Sequence, residues 1–366
     1  MARKGSYYSR YKREARKAIK RAPKWALVLA FVLAVVCVLG YFVYDKYFKN
    51  QPLAVGEFSV HFLSVGHKNN GDCIYVKAGD KDILIDAGSE PESVPTIRNY
   101  INRYVTDGKL EFVIVTHADY DHIAGFECDD NIFEYYQTDI IIDFPKTNKA
   151  DKTAVINYYE NLQKEVNAGA THYTALECYK GLNGAQSTYE LSESIYLDVL
   201  YNYYYENVSS SENNYSVCVQ FRHGGKKFLF TGDLESSGES KLVDFYENEF
   251  SQVELYKAGH HGSKTSSTLK LLNKIRPKIC VVPCTVGYDQ YNSNPENVFP
   301  SQSFVDNISN FTDKVYATQI ASSNSAGYEL LNGNVIVSSS AEKVEVICTA
   351  SSILLKDTDW FKQNRA

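Results

Sequence analysis

The chain has 366 residues, 44% of them hydrophobic, with 38 basic and 44 acidic side chains and a net charge of −6. That length allows one large domain or two small ones, with ample material for a buried core. The charge is unevenly placed: ten basic residues against one acid (Glu14) in the first 24 contribute +9, which leaves −15 for the rest of the chain and argues against a tight, sequence-independent DNA binder there.

Residues 25–44 read WALVLAFVLAVVCVLGYFVY, without a charge, and are long enough to span a bilayer. A core helix would show a polar face, and a cleaved leader would be shorter and end in small residues rather than Tyr41-Phe42-Val43-Tyr44. The expectation is a transmembrane signal-anchor at 25–44, behind a basic cytoplasmic tail at 1–24. The tail holds Arg3, Lys4, Arg10, Lys12, Arg13, Arg16, Lys17, Lys20, Arg21 and Lys24, against Asp45, Lys46 and Lys49 just past the helix. The positive-inside rule then places everything after Tyr44 outside the cell. The tail next to the helix is read as meeting lipid headgroups rather than nucleic acid. Residues 45–56 are a juxtamembrane linker.

From Phe58 the pattern becomes that of strands and helices. Phe58–Ser64, Cys73–Lys77 and Asp82–Asp86 are expected strands. Val94–Tyr104 has helical spacing, Glu111–Thr116 is a buried strand and Asp139–Phe144 another. Thr153–Asn167 sets Val155, Tyr158, Tyr159, Leu162 and Val166 on one helical face. A second strand-rich block follows at Ile195–Tyr201, Tyr215–Arg222 and Lys227–Thr231. A helix over Leu269–Ile275 and strands over Lys278–Pro283 and Asn334–Val337 complete it, and residues 351–366 are set apart as a C-terminal tail. Two comparable halves of mixed strands and helices predict an α/β fold, an αββα sandwich over residues 57–350. Seven cysteines (Cys73, Cys128, Cys178, Cys218, Cys280, Cys284 and Cys348) follow the apolar segment without zinc-ribbon spacing, and one disulfide is compatible with export.

Three motifs carry chemistry. Thr116-His117-Ala118-Asp119-Tyr120-Asp121-His122 puts four potential ligands within six residues, directly after an apolar strand. Mixed imidazole and carboxylate suits hard or borderline divalent ions. Phe230-Thr231-Gly232-Asp233 ends a strand on a glycine and one acid, a weak signal alone. Lys257-Ala258-Gly259-His260-His261-Gly262-Ser263-Lys264 sets two histidines between glycines, where backbone can approach a ligand and the lysines and serine can meet an oxyanion.

In this order the motifs resemble the metallo-β-lactamase superfamily, and within it the extracellular domain of the ComEC/Rec2 competence proteins. Phe62-Leu63-Ser64-Val65-Gly66 with Gly71-Asp72-Cys73 resembles that branch's FLDVGQGDS. Ile83-Leu84-Ile85-Asp86-Ala87-Gly88 resembles ILIDTG, and Asn213-Asn214-Tyr215-Ser216-Val217 resembles NNxSLV. The likeness runs over roughly residues 57–340. It departs at Ser64, at His67, at the added Lys68, Asn69 and Asn70, and at Tyr291-Asn292-Ser293-Asn294-Pro295, where the branch has YGHP. The many hydrophobic spans of a DNA channel are absent from this sequence.

The resemblance implies two divalent ions, zinc or manganese with magnesium a further option. His117 and Asp119 would hold one, Asp121 and His122 the other with one member of the histidine pair, here assigned as His261 with His260 the alternative, and Asp233 would bridge. Asp121, His260 and Lys264 are the expected catalytic residues. His260 would meet a substrate oxygen or protonate the leaving group. Asn214, at the place of a third histidine, joins Lys257 and Ser263 as substrate-contacting. Asp119 makes the ligand set rich in oxygen, which favours harder ions. A metal-bridged hydroxide attacking a phosphodiester is the implied reaction. The expected protein is a membrane-anchored extracellular hydrolase touching lipid through residues 25–44, with a phosphodiester substrate, DNA among the candidates, and no protein partner. An envelope phosphoesterase acting on teichoic acid or phosphorylcholine is one alternative. A non-catalytic metal-binding scaffold is another.

Overall fold

The computed structural model describes residues 23–44, 53, 55–288, 294, 297–322 and 327–366. It divides into two units, Met1–Leu53 and Ala54–Ala366. In the first, helix α1 covers Lys24–Tyr44. Trp25, Val28, Phe31, Val36 and Val38 on it are exposed. The side chains of Lys24, Leu27, Ala30, Leu39 and residues 41–44 lie outside the described set. Among the described residues, no helix is long and apolar enough to cross a membrane. The basic tail before residue 23, most of the linker and Tyr291-Asn292-Ser293 also lie outside the described residues.

In the second unit, β-branched and aromatic runs form two eight-stranded sheets. The first contains β1 (Phe58–Phe62), β2 (Ile74–Ala78), β3 (Lys81–Ile85), β4 (Lys109–Ile114), β5 (Gln137–Asp143), β6 (Thr171–Thr174), β15 (Val335–Ser339) and β16 (Val344–Cys348). Its order is β16-β15-β1-β2-β3-β4-β5-β6. The second contains β7 (Thr188–Ser192), β8 (Ile195–Leu200), β9 (Cys218–His223), β10 (Lys226–Phe230), β11 (Leu255–Lys257), β12 (Ile279–Val286), β13 (Val315–Ala321) and β14 (Tyr328–Leu330), in reverse chain order from β14 to β7. This is an α/β fold of the two-sheet sandwich kind.

The sheets meet face to face through aromatic rings. Phe58 lies 5.6 Å from Phe221 and 4.7 Å from Phe228, and Phe62 lies 6.2 Å from Phe230, between ring centroids. The opposite face of the first sheet is covered by α2 (Ser93–Ile101), α3 (Tyr120–Glu127) and α4 (Thr153–Ala168), whose Ile97, Phe126 and Tyr158 are buried. The second sheet is covered by α6 (Ser236–Phe245), α7 (Leu269–Ile275) and α8 (Gln302–Ile308), through Leu242, Leu271 and Phe304. A short α5 (Ala175–Lys180) precedes β7. Phe58–Ser64 reads as alternating, yet every residue of β1 is buried. The even positions face the other sheet. Ser59 and His61 face inward as well, with His61 hydrogen-bonded to Ser59 Oγ and Tyr100.

Residues 351–366 are not a free tail. Leu355 is buried, and helix α9 (Asp359–Asn364) is followed by Arg365, whose guanidinium donates to Pro300 O at 2.9 Å and Val298 O at 3.0 Å. All eight cysteines are free thiols.

One topological fact positions the site. β3 and β4 pair in parallel, and so do β10, β11 and β12. Ligand sites in such sheets lie at the carboxyl ends of the strands, and all three sequence motifs follow such ends.

Candidate metal centre

β3 hands the chain to Asp86 in the left-handed region, φ 56°, which a non-glycine residue occupies only when its surroundings hold it. Asp86 Oδ1 accepts from Thr116 N and Oδ2 from Thr116 Oγ1, each at 2.8 Å. Oδ2 also lies 2.8 Å from His122 Nδ1. With that nitrogen tied, His122 Nε2 faces Asp233 Oδ2 at 3.2 Å. His117, after β4, packs its ring 4.1 Å from that of His122. Its Nδ1 sits 3.0 Å from Thr116 Oγ1, and its buried Nε2 has no hydrogen-bond partner among the described residues.

Helix α3 begins at once after Asp119 and places Asp121 in its first turn. It sits close to the β3 exit because Gly125 has no side chain. A Cβ there would lie 2.4 Å from Ala87 O, and Gly125 N instead donates to that oxygen at 3.1 Å.

The second sheet supplies the rest. β10 ends at Thr231-Gly232-Asp233, where Gly232 has φ +54° and a Cβ would meet Ser216 at 2.8 Å. Asp233 N donates to Ser216 Oγ at 3.0 Å. β11 ends at Lys257, and the turn Gly259–Gly262 holds His260 at φ 45° and His261 at φ 51°. Three strained non-glycine residues thus fall at one place. His261 Nε2 lies 3.2 Å from Asp233 Oδ2 and 3.4 Å from Asp121 Oδ2.

The electrostatics follow. Burial disfavours the imidazolium of His122, but Asp233 and Asp86 outweigh it and raise its pKa well above the ordinary value. His261 is raised likewise by Asp233 and Asp72. Burial would raise Asp233, yet His261, Lys257 and His122 hold its carboxyl well below the usual range. For His260, burial prevails over Asp233, 4.0 Å away, and keeps the ring neutral.

The donor set fits divalent cations. His117, His122 and Asp233 each bring a ligand atom within 4.8 Å of the others, and so do Asp121, His122 and His261. The Nε2 atoms of His117 and His261 are buried without a hydrogen bond, as metal-ligating nitrogens would be before loading. Asp119 stands beside His117 and is shared with a lysine. One of its oxygens is 3.7 Å from His117 Nε2 and the other takes Lys149 Nζ at 2.5 Å.

Three sequence expectations need correction or refinement. Lys257 is 1% exposed and spends its ammonium on Asp72, Asp233 and two carbonyls, so it does not reach a substrate. Asn214 is buried and ties the loop to α6, donating to Ser209 and Ser237 Oγ and accepting from Glu235 N. Its neighbour Asn213 is the one beside His260, 3.4 Å from Nδ1. Ser263 is buried with its hydroxyl 3.1 Å from Thr265 Oγ1, while Lys264 is exposed at the rim of the turn. Sequence reasoning missed Asp72, Asp86 and Lys149 as site residues. The first two stand in the runs Gly71-Asp72-Cys73 and Ile85-Asp86-Ala87-Gly88, each an acid at a strand boundary. Lys149 lies in a loop with no periodic signal.

A family model described as the metallo-beta-lactamase superfamily matches residues 68–127 and 211–285. These two stretches contain the His117–His122 loop, Asp233 and the His260-His261 pair. Competence protein ComA of Neisseria gonorrhoeae is 37% identical over 91 residues, 25% of this chain and 13% of that protein. ComE operon protein 3 of Bacillus subtilis is 33% identical over 73 residues, 20% of this chain and 9% of that protein. Recombination protein 2 of Haemophilus influenzae is 29% identical over 75 residues, again 20% and 9%. The matched part of the chain thus spans about a tenth of the length of these relatives.

Proposed function

We propose that this chain, which carries a metallo-β-lactamase superfamily domain, is a membrane-anchored, metal-dependent phosphodiesterase working outside the cell. The convergence of His117, Asp121, His122, Asp233 and His261 on one spot, with two buried imidazole nitrogens left open, carries the reading. Divalent ions bound there would supply Lewis-acid polarisation of a phosphoryl oxygen and a hydroxide at neutral pH.

The chain's own groups favour an anion. Asp72, Asp86, Asp119, Asp121 and Asp233 carry −5, and Lys149 and Lys257 carry +2, giving −3. Two divalent ions would turn this to +1, a centre that attracts a phosphodiester. Lys149 is 38% exposed beside Asp119 and Lys264 stands at the rim. These two lysines are positioned to orient phosphate oxygens. His260, neutral and 12% exposed, is placed to meet a substrate oxygen with its ring N–H.

The anchoring part of the proposal is read from the charge-free run of residues 25–44 and from the ten basic residues before it. The charge of −15 beyond residue 24 favours a small or wall-tethered diester over long DNA. The full chain, purified in detergent with Mn²⁺, should hydrolyse bis-p-nitrophenyl phosphate. Absence of turnover, or turnover that survives Asp121→Ala with Asp233→Ala, contradicts the proposal. Faster cleavage of DNA than of small diesters would move the substrate to nucleic acid.

A further inference from the structure

Asp72 and Lys257 form a buried ion pair behind the ligand cluster. Lys257 Nζ lies 2.6 Å from Asp72 Oδ2, 3.1 Å from Asp233 Oδ1, 2.9 Å from Gly232 O and 3.3 Å from Ala258 O. An ammonium has three N–H groups, so these oxygens use all of them. Both side chains of the pair are 1% exposed. Removing either partner alone would strand a charge in the interior.

The pair touches the cluster at two points. Asp233 Oδ1 is occupied by Lys257, which leaves only Oδ2 facing His122 and His261, at 3.2 Å from each. On the other side, Asp72 Oδ1 stands 3.3 Å from His261 Nδ1, which also donates to Pro283 O at 3.0 Å. Pro283 O holds the proton on Nδ1 and leaves Nε2 as the lone-pair nitrogen, while Asp72 Oδ1 lies beside that N–H as a neighbouring negative charge. The Asp72 backbone is itself pinned, donating to Asp121 O at 3.2 Å and accepting from Gly88 N at 2.7 Å.

We infer that the Asp72–Lys257 pair is a positioning device. Lys257 restricts Asp233 to one presented oxygen, and Asp72 holds the Lys257 ammonium in place and puts a negative charge beside His261 Nδ1, so that Asp233 Oδ2 and His261 Nε2 are the atoms that would be offered to divalent ions. The inference rests on the metal-centre reading of the site. Neither residue touches substrate. Without Lys257, both oxygens of Asp233 would be open to the cluster.

The test titrates the full-length chain in detergent with MnCl₂, reading bound ions by calorimetry and their coupling by electron paramagnetic resonance. Wild type, Lys257→Met, and Lys257→Met with Asp72→Asn are compared. The double variant removes the pair as a unit, so it leaves no unpaired buried charge even if Lys257→Met alone fails to fold. Wild type should bind two Mn²⁺ with a coupled spectrum. The folded double variant should still bind Mn²⁺ but with an altered coupling, and kcat should fall 10–100-fold, the range for outer ligand partners, with KM little changed. A wild-type spectrum and kcat in the double variant would overturn the inference and leave the site reading standing. So would a double variant that is unfolded by near-ultraviolet circular dichroism, or folded but unable to bind Mn²⁺. A wild-type chain that binds no Mn²⁺ overturns both.

Discussion

A histidine that is buried and uncharged makes a fold sensitive to acid. His61 is fully buried between Ser59 and Tyr100, and burial pushes its pKa down to about 3. Its unfolded value is 6.5. Below pH 6.5 the unfolded chain takes up a proton that the folded chain refuses. The stability this residue contributes is therefore intact above 6.5 and lost progressively as pH falls towards 3. At pH 5 the loss is about 2 kcal/mol. Urea unfolding at pH 7 and pH 5 should show a pH dependence smaller by about that amount in His61→Gln, which keeps hydrogen-bonding capacity without titrating. At the site, Lys149→Ala should raise KM for a small diester several-fold more than it lowers kcat, as steady-state kinetics would show. At this scale the sequence was informative where function is local. The His117–His122 loop is legible because its ligands are neighbours in the chain. The Lys257 role was misread because its partner Asp72 is 185 positions away in the sequence, and no local pattern distinguishes a buried ammonium from one aimed at solvent.

At the scale of elements, α3 is held against the β3 exit by the missing side chain of Gly125. Gly125→Ala would bring a methyl to 2.4 Å from Ala87 O, a backbone atom that cannot turn aside. The helix must shift, at a cost of about 1–3 kcal/mol, and it carries Asp121 and His122 with it. Calorimetry should find weaker Mn²⁺ binding beside the lower melting temperature. Substitution of exposed Ile156 on α4 should change neither. Elements with strong apolar periodicity were legible, and Leu269–Ile275 is a helix over those residues. β11, with three residues, and β6, Thr171–Thr174, are too short to show a period. Helix α6 reads SSGESKLVDF, in which Leu242 and Val243 are the main buried apolar anchors. Such a segment is helical because the sheet beneath accepts those two side chains, which no propensity reveals.

Across the whole molecule, ligands from the two sheets must meet for the centre to exist. Ions that bind only the folded chain stabilise it, by about 2.7 kcal/mol per site at a hundred times Kd. Chelation should therefore lower the melting temperature, and Mn²⁺ should restore it. Calorimetry showing no change would speak against a loaded centre. Protease added to whole cells should remove the domain if α1 anchors it outward, and full protection would reverse that topology. The αββα layering was legible from the alternation of strand and helix patterns. The order of strands was not, because β15 and β16 return from the end of the chain to pair beside β1, a long-range choice that only packing decides.

The split of the site between sheets has a further consequence for biosynthesis. Asp72 and His117 are made early, but Asp233 and His261 emerge more than a hundred residues later. A growing chain presents only half of the ligand set. Divalent ions would therefore find the whole ligand set only after the two sheets close on one another, and the ions available at that moment would decide which one the site takes.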